Sequence, residues 1–349
     1  TASATDIYVT VNNMLTSSNV DEVHFTITGQ TSVTFDWRAP SSENSISYGT
    51  VSGNYTQSVT AQTPNIIPFS SAGPFYEAKL TGLKQDTTYY YKIGERSERR
   101  FKTPPAKGSA GFSFVAAADI GSSDYYPNVA TLQSMIGEDI PSLVLIPGDL
   151  TYGNILGQTV VDRHFNDVMA WSEYAPYMPT WGNHEWDSSR NYDDLRNYKG
   201  RFDFPNNQTS PGSPERSCCG EDWYWFDYGN TRFIAYPEPW DGAWSDWNEK
   251  VNVLMDQAQA DPAIKFIVTY GHRPAYSSNY YHQGETPIKD YLDTLGAKHS
   301  KYVLNINGHS HNYERSYPQN GVVHLTVGSG GSGLQGYGSC VWANCTPPS

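Results

Sequence analysis

SLVLIPGDLTY, residues 142–152, decides how the larger part of this chain folds. Leu143 to Pro147 form an apolar run with no polar alternation, the pattern of a strand covered on both faces. A glycine, an acid and then a tyrosine follow at once. Four other stretches repeat the event: FSFVAAADIG (112–121), YMPTWGNHEW (177–186), FIVTYGH (266–272) and VLNINGHSH (303–311). They deliver Asp119, Asp149 with Tyr152, Asn183 with His184, His272, and His309 with His311 just beyond the strand ends. Gly121, Gly148, Gly182, Gly271 and Gly308 stand beside them, where backbone must turn sharply or approach closely. Ligands of sheet-based α/β folds gather at that edge.

Between these runs the sequence predicts helices near 127–138, 162–175, 243–259 and 285–298, and a hairpin in YWFDYGNTRFIAY (224–236). The sum is an α/β or α+β layered domain with a sheet core over residues 108–349. Residues 1–107 have another rhythm. EVHFTI, SVTFDWRA, SISYGT, FYEAKL, TTYYYKIG and RRFKT alternate apolar and polar residues between turn formers, the pattern of an all-β sandwich of immunoglobulin or fibronectin III type. Trp37 and Tyr89–Tyr91 belong to its packing, and TPPAKGSAG (103–111) reads as the linker.

The 349 residues carry a net charge of −13 with no basic block, which argues against nucleic acid or an anionic membrane as partner. No stretch reaches the roughly 18–20 apolar residues of a membrane span. A start at Thr1 and N-x-T sequons at Asn54, Asn207 and Asn344 fit a secreted glycoprotein whose leader has been removed. The four cysteines show no C-x-x-C spacing, so a cysteine zinc site is not expected. Cys340–Cys345 is favoured as a local loop closure; the adjacent Cys218 and Cys219 pair poorly because such a bond is strained, and their pairing stays open.

Any single acid or histidine at a strand end is usually a cap or a hydrogen-bonded surface group. Five such ends in one chain point to metal. The donors are oxygen and imidazole nitrogen without sulfur, which suits iron, zinc or manganese. There are enough for two ions if one carboxylate bridges, the device used for phosphoryl hydrolysis.

D-x-G, G-D-x-x-Y, G-N-H-E, V-x-x-x-H and G-H-x-H occur here in that order, and in this they resemble the purple acid phosphatases, a branch of the calcineurin-like metallophosphoesterases. The resemblance covers most of 112–330, and the strand-rich front resembles the fibronectin III-like domain of plant and fungal members. It implies a metallophosphoesterase-like two-layered β-sheet sandwich flanked by helices. It also implies a ferric ion on Asp119, Tyr152 and His311, a divalent zinc, iron or manganese on Asn183, His272 and His309, and Asp149 between them. The first motif lacks the histidine common elsewhere in the superfamily, and Tyr152 supplies the hard phenolate that favours Fe(III). Val268 to His272 is one residue longer than the family's usual V-x-x-H.

The implied reaction is hydrolysis of small phosphate monoesters, phytate among the candidates, by attack of a metal-bound hydroxide. His184 is expected to donate to the phosphate and protonate the leaving group; its alternative is to orient Asn183. His282, in SSNYYHQGE, falls where relatives carry a second substrate-facing histidine. His24, His164, His299 and His324 have no motif context and are assigned structural or exposed roles. A phosphodiesterase or nucleotide pyrophosphatase on the same metals is the alternative activity, and a non-catalytic binding protein is a third. After VHLTVGSGGSGL the family continues with further strands, whereas this sequence stops at Ser349.

Overall fold

The computed structural model describes residues 19–40, 42–187, 193–240, 242–336 and 338. The described residues of the front part form seven strands: β1 (Asp21–Gly29), β2 (Ser32–Arg38), β3 (Ser45–Gly49), β4 (Gln57–Thr60), β5 (Phe75–Leu80), β6 (Thr88–Ile93) and β7 (Arg99–Lys102). They form two antiparallel sheets, β1-β2-β5 and β4-β3-β6-β7. The alternate residues Val23, Phe25, Phe35, Trp37, Tyr91 and Phe101 fill the core between them. Strand β4 is absent from the sequence-based expectation. It is short and mostly exposed, so no apolar alternation marks it.

The second part begins with β8 (Phe114–Ala116), α1 (Val129–Asp139) and β9 (Leu143–Pro147). Short helices α2 (Gly153–Leu156), α3 (Thr159–Asp167) and α4 (Met169–Ser172) lead to β10 (Tyr177–Thr180). A small hairpin, β11 (Trp186–Asp187) with β12 (Asp193–Asp194), and α5 (Arg196–Lys199) follow. Then come β13 (Trp225–Tyr228), β14 (Thr231–Ala235), α6 (Ala243–Ala260), β15 (Phe266–Gly271), α7 (Thr286–Lys298), β16 (Tyr302–Asn307), β17 (Tyr313–Arg315) and β18 (Val323–Val327).

Strands β10-β9-β8 make a parallel sheet, and β13-β14-β15-β16-β18-β17 make a mixed sheet with parallel pairs at its centre. Period-two alternation explains how the layers stack. Phe233, Ala235, Val268 and Tyr270 point to the core shared with Leu143, Val144 and Tyr177 of the other sheet. Ile234 and Ile267 point the other way, onto Val251 and Met255 of α6 and Ile288 and Leu292 of α7. The result is the two-layered sandwich flanked by helices.

The 103–111 segment is pinned rather than free. Lys107 pairs with Asp227 at 3.1 Å and Asp261 at 2.7 Å, and the Gly108 N–H donates to the Gly229 carbonyl at 2.9 Å. Elsewhere the two parts meet through buried charge. Arg201, 2% exposed, pairs with Glu22 at 3.0 Å and with Asp162 at 3.1 Å, and Tyr91 Oη donates to the Glu173 carbonyl at 2.9 Å. A buried pair of this kind specifies how surfaces meet more than it stabilises them.

Cys218 and Cys219 are joined to each other, their Cα atoms 3.0 Å apart across a cis peptide bond. The sequence reading disfavoured this pairing as strained but left it open. The favoured partners Cys340 and Cys345 lie outside the described residues, as does Asn344.

Candidate metal centre

The seven side chains expected as ligands arrive from five strand ends and meet. His272 Nε2 lies 3.1 Å from Asp149 Oδ2, 3.1 Å from Asn183 Oδ1 and 3.2 Å from His309 Nδ1. His311 Nε2 lies 3.3 Å from Asp119 Oδ1 and 3.3 Å from Tyr152 Oη, and Tyr152 Oη is 3.4 Å from Asp119 Oδ1. Donor atoms of Asp149, His272 and His309 lie within 4.8 Å of one another, and so do those of Asp119, Asp149 and His311. Asp149 belongs to both groups.

The backbone carries strain here. Asp119 (φ 58°), Asp149 (φ 50°), Tyr152 (φ 60°) and His309 (φ 66°) all sit in the left-handed region. For a residue with a Cβ this costs roughly 1–2 kcal/mol each, a cost met at functional sites where the surrounding structure enforces it. Two glycines make the room. Gly148 has φ 80°, and a Cβ there would lie 2.5 Å from His272 Nδ1. A Cβ on Gly182 would collide with Asp149 Oδ1.

Second partners fix the imidazoles. His272 Nδ1 faces the Pro147 carbonyl at 3.0 Å, and His311 Nδ1 faces the Gly333 carbonyl at 3.0 Å. A carbonyl only accepts, so Nδ1 carries an N–H in both rings, and Nε2 is the nitrogen turned toward the cluster. The His309 backbone N–H donates to Asp119 Oδ2 at 2.9 Å, and that of His184 donates to Asp149 Oδ1 at 2.9 Å.

Glu185 has no assigned role in the sequence reading, although it stands inside the quoted G-N-H-E. It is 3% exposed, and its carboxylate accepts the N–H groups of Leu150 (2.9 Å), Thr151 (3.2 Å) and Gly182 (2.9 Å). It staples the loop bearing Asp149 to the loop bearing Asn183.

The electrostatics suit cations. Burial raises the Asp119 carboxyl above its usual range, against the hydrogen bond from His311. Burial, then Asp119 and Asp149, hold the Tyr152 phenol well above its ordinary value. Asp149 is also penalised by burial, but His272, His184 and His309 outweigh this and hold it low. Two carboxylates and a phenol buried together are stabilised as anions by a bound metal. The donor set, hard oxygens with imidazole nitrogens, fits such an ion.

His184 is beside the cluster but outside it. Its Nδ1 meets Asn154 Oδ1 at 2.9 Å, and Nε2 stands 3.9 Å from Asp149 Oδ2. Its ring packs 4.4 Å from that of Tyr152. His282 also comes to the site, its ring 4.1 Å from His309 and 6.2 Å from His311. Burial, then His311 and His272, lower its pKa. His24, His164, His299 and His324 are all buried away from the cluster. None is exposed, so the structural half of their expected assignment is the one observed. Arg273, Trp186, Glu238 and Trp240, which line the cleft with His184, were given no role by the sequence, although Trp186 ends the quoted YMPTWGNHEW and Arg273 follows His272.

Residues 112–313 match the profile of the calcineurin-like phosphoesterases, and residues 20–115 match the purple acid phosphatase N-terminal domain. The chain belongs to the calcineurin-like phosphoesterase family, in its purple acid phosphatase branch. It is 29% identical over 335 residues to probable purple acid phosphatase 20 of Arabidopsis thaliana, covering 89% of this chain and 74% of that one. It is 26% identical over 318 residues to a phosphoenolpyruvate phosphatase of Allium cepa, covering 82% of this chain and 60% of the onion protein. The fold is similar to that of a purple acid phosphatase from yellow lupin seeds (Lupinus luteus), with TM-score 0.73 at 20% identity over 93% of this chain and 67% of the lupin one.

Proposed function

We propose that the protein hydrolyses phosphate monoesters at a binuclear metal centre. Asp119, Tyr152 and His311 would hold a ferric ion. Asn183, His272 and His309 would hold a divalent zinc, iron or manganese, and Asp149 would be shared. The observation that carries this reading is the double membership of Asp149 in two donor groups. Tyr152 Oη beside one group and Asn183 Oδ1 beside the other support it.

When bound, such cations neutralise phosphate charge and acidify water, to a pKa of about 7 in favourable zinc sites. The chain's own residues do the rest. Glu185 and the two histidine–carbonyl contacts preorganise the donors, so little ordering remains when ester binds. Water adds to phosphorus as the ester P–O bond breaks. With Nδ1 committed to Asn154, His184 presents Nε2 to the cleft and delivers its proton to the departing oxygen. His282 extends the imidazole surface on the His309 side and faces the phosphate.

We further propose that residues 1–107 form a fibronectin III-like unit and 108–349 the catalytic unit. We read the protein as secreted and glycosylated at Asn54, Asn207 and Asn344. Asn54 and Asn207 are exposed, and no described helix is long and apolar enough to cross a membrane.

Elemental analysis and a visible spectrum, with parallel assays on a monoester and a diester, test the reading. Two metals per chain, one of them iron, a tyrosinate-to-iron band lost in Tyr152→Phe, and faster monoester turnover are expected. Absence of metal, or a diester preferred to a monoester, overturns it.

A further inference from the structure

The cleft beside His184 opens into a 260 Å³ pocket whose walls include Trp186, Trp240, Glu238 and Arg273. Resting on the phosphatase reading above, we propose that this pocket receives the leaving alcohol and selects phosphomonoesters in which that alcohol carries an ammonium group.

Charge points there first. Among the described residues of the lining Arg273 is the one permanent cation, and two carboxylates engage it. Its Nε donates to Glu238 Oε2 at 2.8 Å and its Nη1 to Glu285 Oε1 at 2.9 Å. Two carboxylates around one guanidinium leave the triad net negative. Glu238 is 5% exposed, yet its Oε1 has no hydrogen-bond partner among the described residues. A buried carboxylate oxygen without a donor is costly, and a ligand N–H would satisfy it.

The walls agree. Trp186 meets Trp240 edge to face at 5.1 Å, and Trp240 packs on Trp181 at 4.3 Å, so the indoles are held rigidly. Aromatic rings beside a carboxylate recognise ammonium groups through the ring quadrupole and Coulomb attraction. A polyanionic leaving group such as a multiply phosphorylated inositol meets the opposite: too little volume and charge of its own sign.

Binding and turnover separate this proposal from the one it rests on. The metal-loaded protein is titrated by tryptophan fluorescence with 2-aminoethylphosphonate and with propylphosphonate, similar in shape and not hydrolysable at phosphorus–carbon. About tenfold tighter binding of the aminated compound is expected, a preference that collapses towards unity in Glu238→Gln. Glu285→Gln, at the half-exposed start of α7, should lower the same preference and serves if Glu238→Gln does not fold. Turnover of phosphoethanolamine should exceed that of glycerol 2-phosphate, and phytate should be the poorest substrate. Equal affinity for the two phosphonates, or a preference untouched in both variants, overturns the proposal. A clear preference in binding with no hydrolysis of any of these monoesters leaves the pocket assigned and sinks the phosphatase reading instead, whereas turnover of glycerol 2-phosphate without turnover of phosphoethanolamine overturns the proposal.

Discussion

Glu185 accepts the Leu150 N–H at 2.9 Å, thirty-five residues back along the chain, and so ties the strand end that presents Asp149 to the one that presents Asn183. Neither residue is among the proposed ligands. Their hydrogen bond nevertheless sets the separation of two donors that must converge within ångströms.

Glu185→Gln should therefore weaken metal retention as well as folding. The amide keeps one acceptor oxygen but turns an N–H₂ toward backbone N–H groups, leaving buried donors unpaired at a cost of about 1–3 kcal/mol. Metal affinity should fall roughly 10–100-fold. Thermal unfolding and dialysis against a chelator, followed by metal analysis, check both effects. Unchanged metal retention would mean that the loops hold their spacing without the staple.

Asp149→Ala should strip both proposed ions together, because the same carboxylate serves both donor groups. Elemental analysis should find well under one metal per chain, with activity lost in parallel. A variant that keeps one ion at full occupancy would show that Asp149 serves a single site.

His184→Ala should leave metal content intact and lower kcat by about 10²–10⁴-fold on an alkyl phosphate. The loss should be much smaller on 4-nitrophenyl phosphate, whose leaving group needs no proton. Equal losses on both esters would assign His184 to phosphate binding alone. Asn154→Ala should show a weaker form of the same split, because it frees the ring that Asn154 Oδ1 holds at 2.9 Å.

Acid should destabilise the fold through His164 and His324. Each is fully or nearly fully buried, and burial, the leading cause, lowers its pKa to about 4. His164 is also satisfied as a neutral ring, with Nδ1–H donating to the Gly121 carbonyl at 2.8 Å and Nε2 facing the Tyr177 hydroxyl at 2.9 Å. The unfolded chain protonates near 6.5, so between pH 6.5 and 4 the unfolded state binds more protons. Their contribution is complete above about pH 6.5 and is lost as pH falls toward 4, on the order of 2–3 kcal/mol per residue. Urea midpoints at pH 7 and pH 4.5 measure the drop, and replacing His164 with a non-titrating residue should flatten it.

Much of the site was legible because its chemistry is local to the strand ends. A buried strand must be apolar, it must stop, and the residues after the stop face one common edge. Asp119, Asp149, Tyr152, Asn183, His272, His309 and His311 could be named from that rule and from motif order. Glu185 was in plain view inside G-N-H-E, but its role depends on Leu150 and Thr151 being nearby, which no spacing reveals. Glu238 and Trp240 share the loop after β14 and Arg273 follows His272, and only their packing brings them to one pocket wall. Strand β4 was missed for the reverse reason, since an exposed edge strand needs no apolar face.

Periodicity and strand-end chemistry thus determined the two kinds of β architecture and the placement of helices between buried strands, and they brought forward the candidate donors, whose roles the family resemblance implied. Those properties follow from burial and from short-range backbone geometry. Tertiary structure decided that Asp149 stands in both candidate donor groups, that four of the candidate donors adopt left-handed backbone, that Cys218 pairs with Cys219, and that a pocket walled by Trp186, Trp240, Glu238 and Arg273 flanks His184. Each of these depends on distances between atoms that only the packed chain sets.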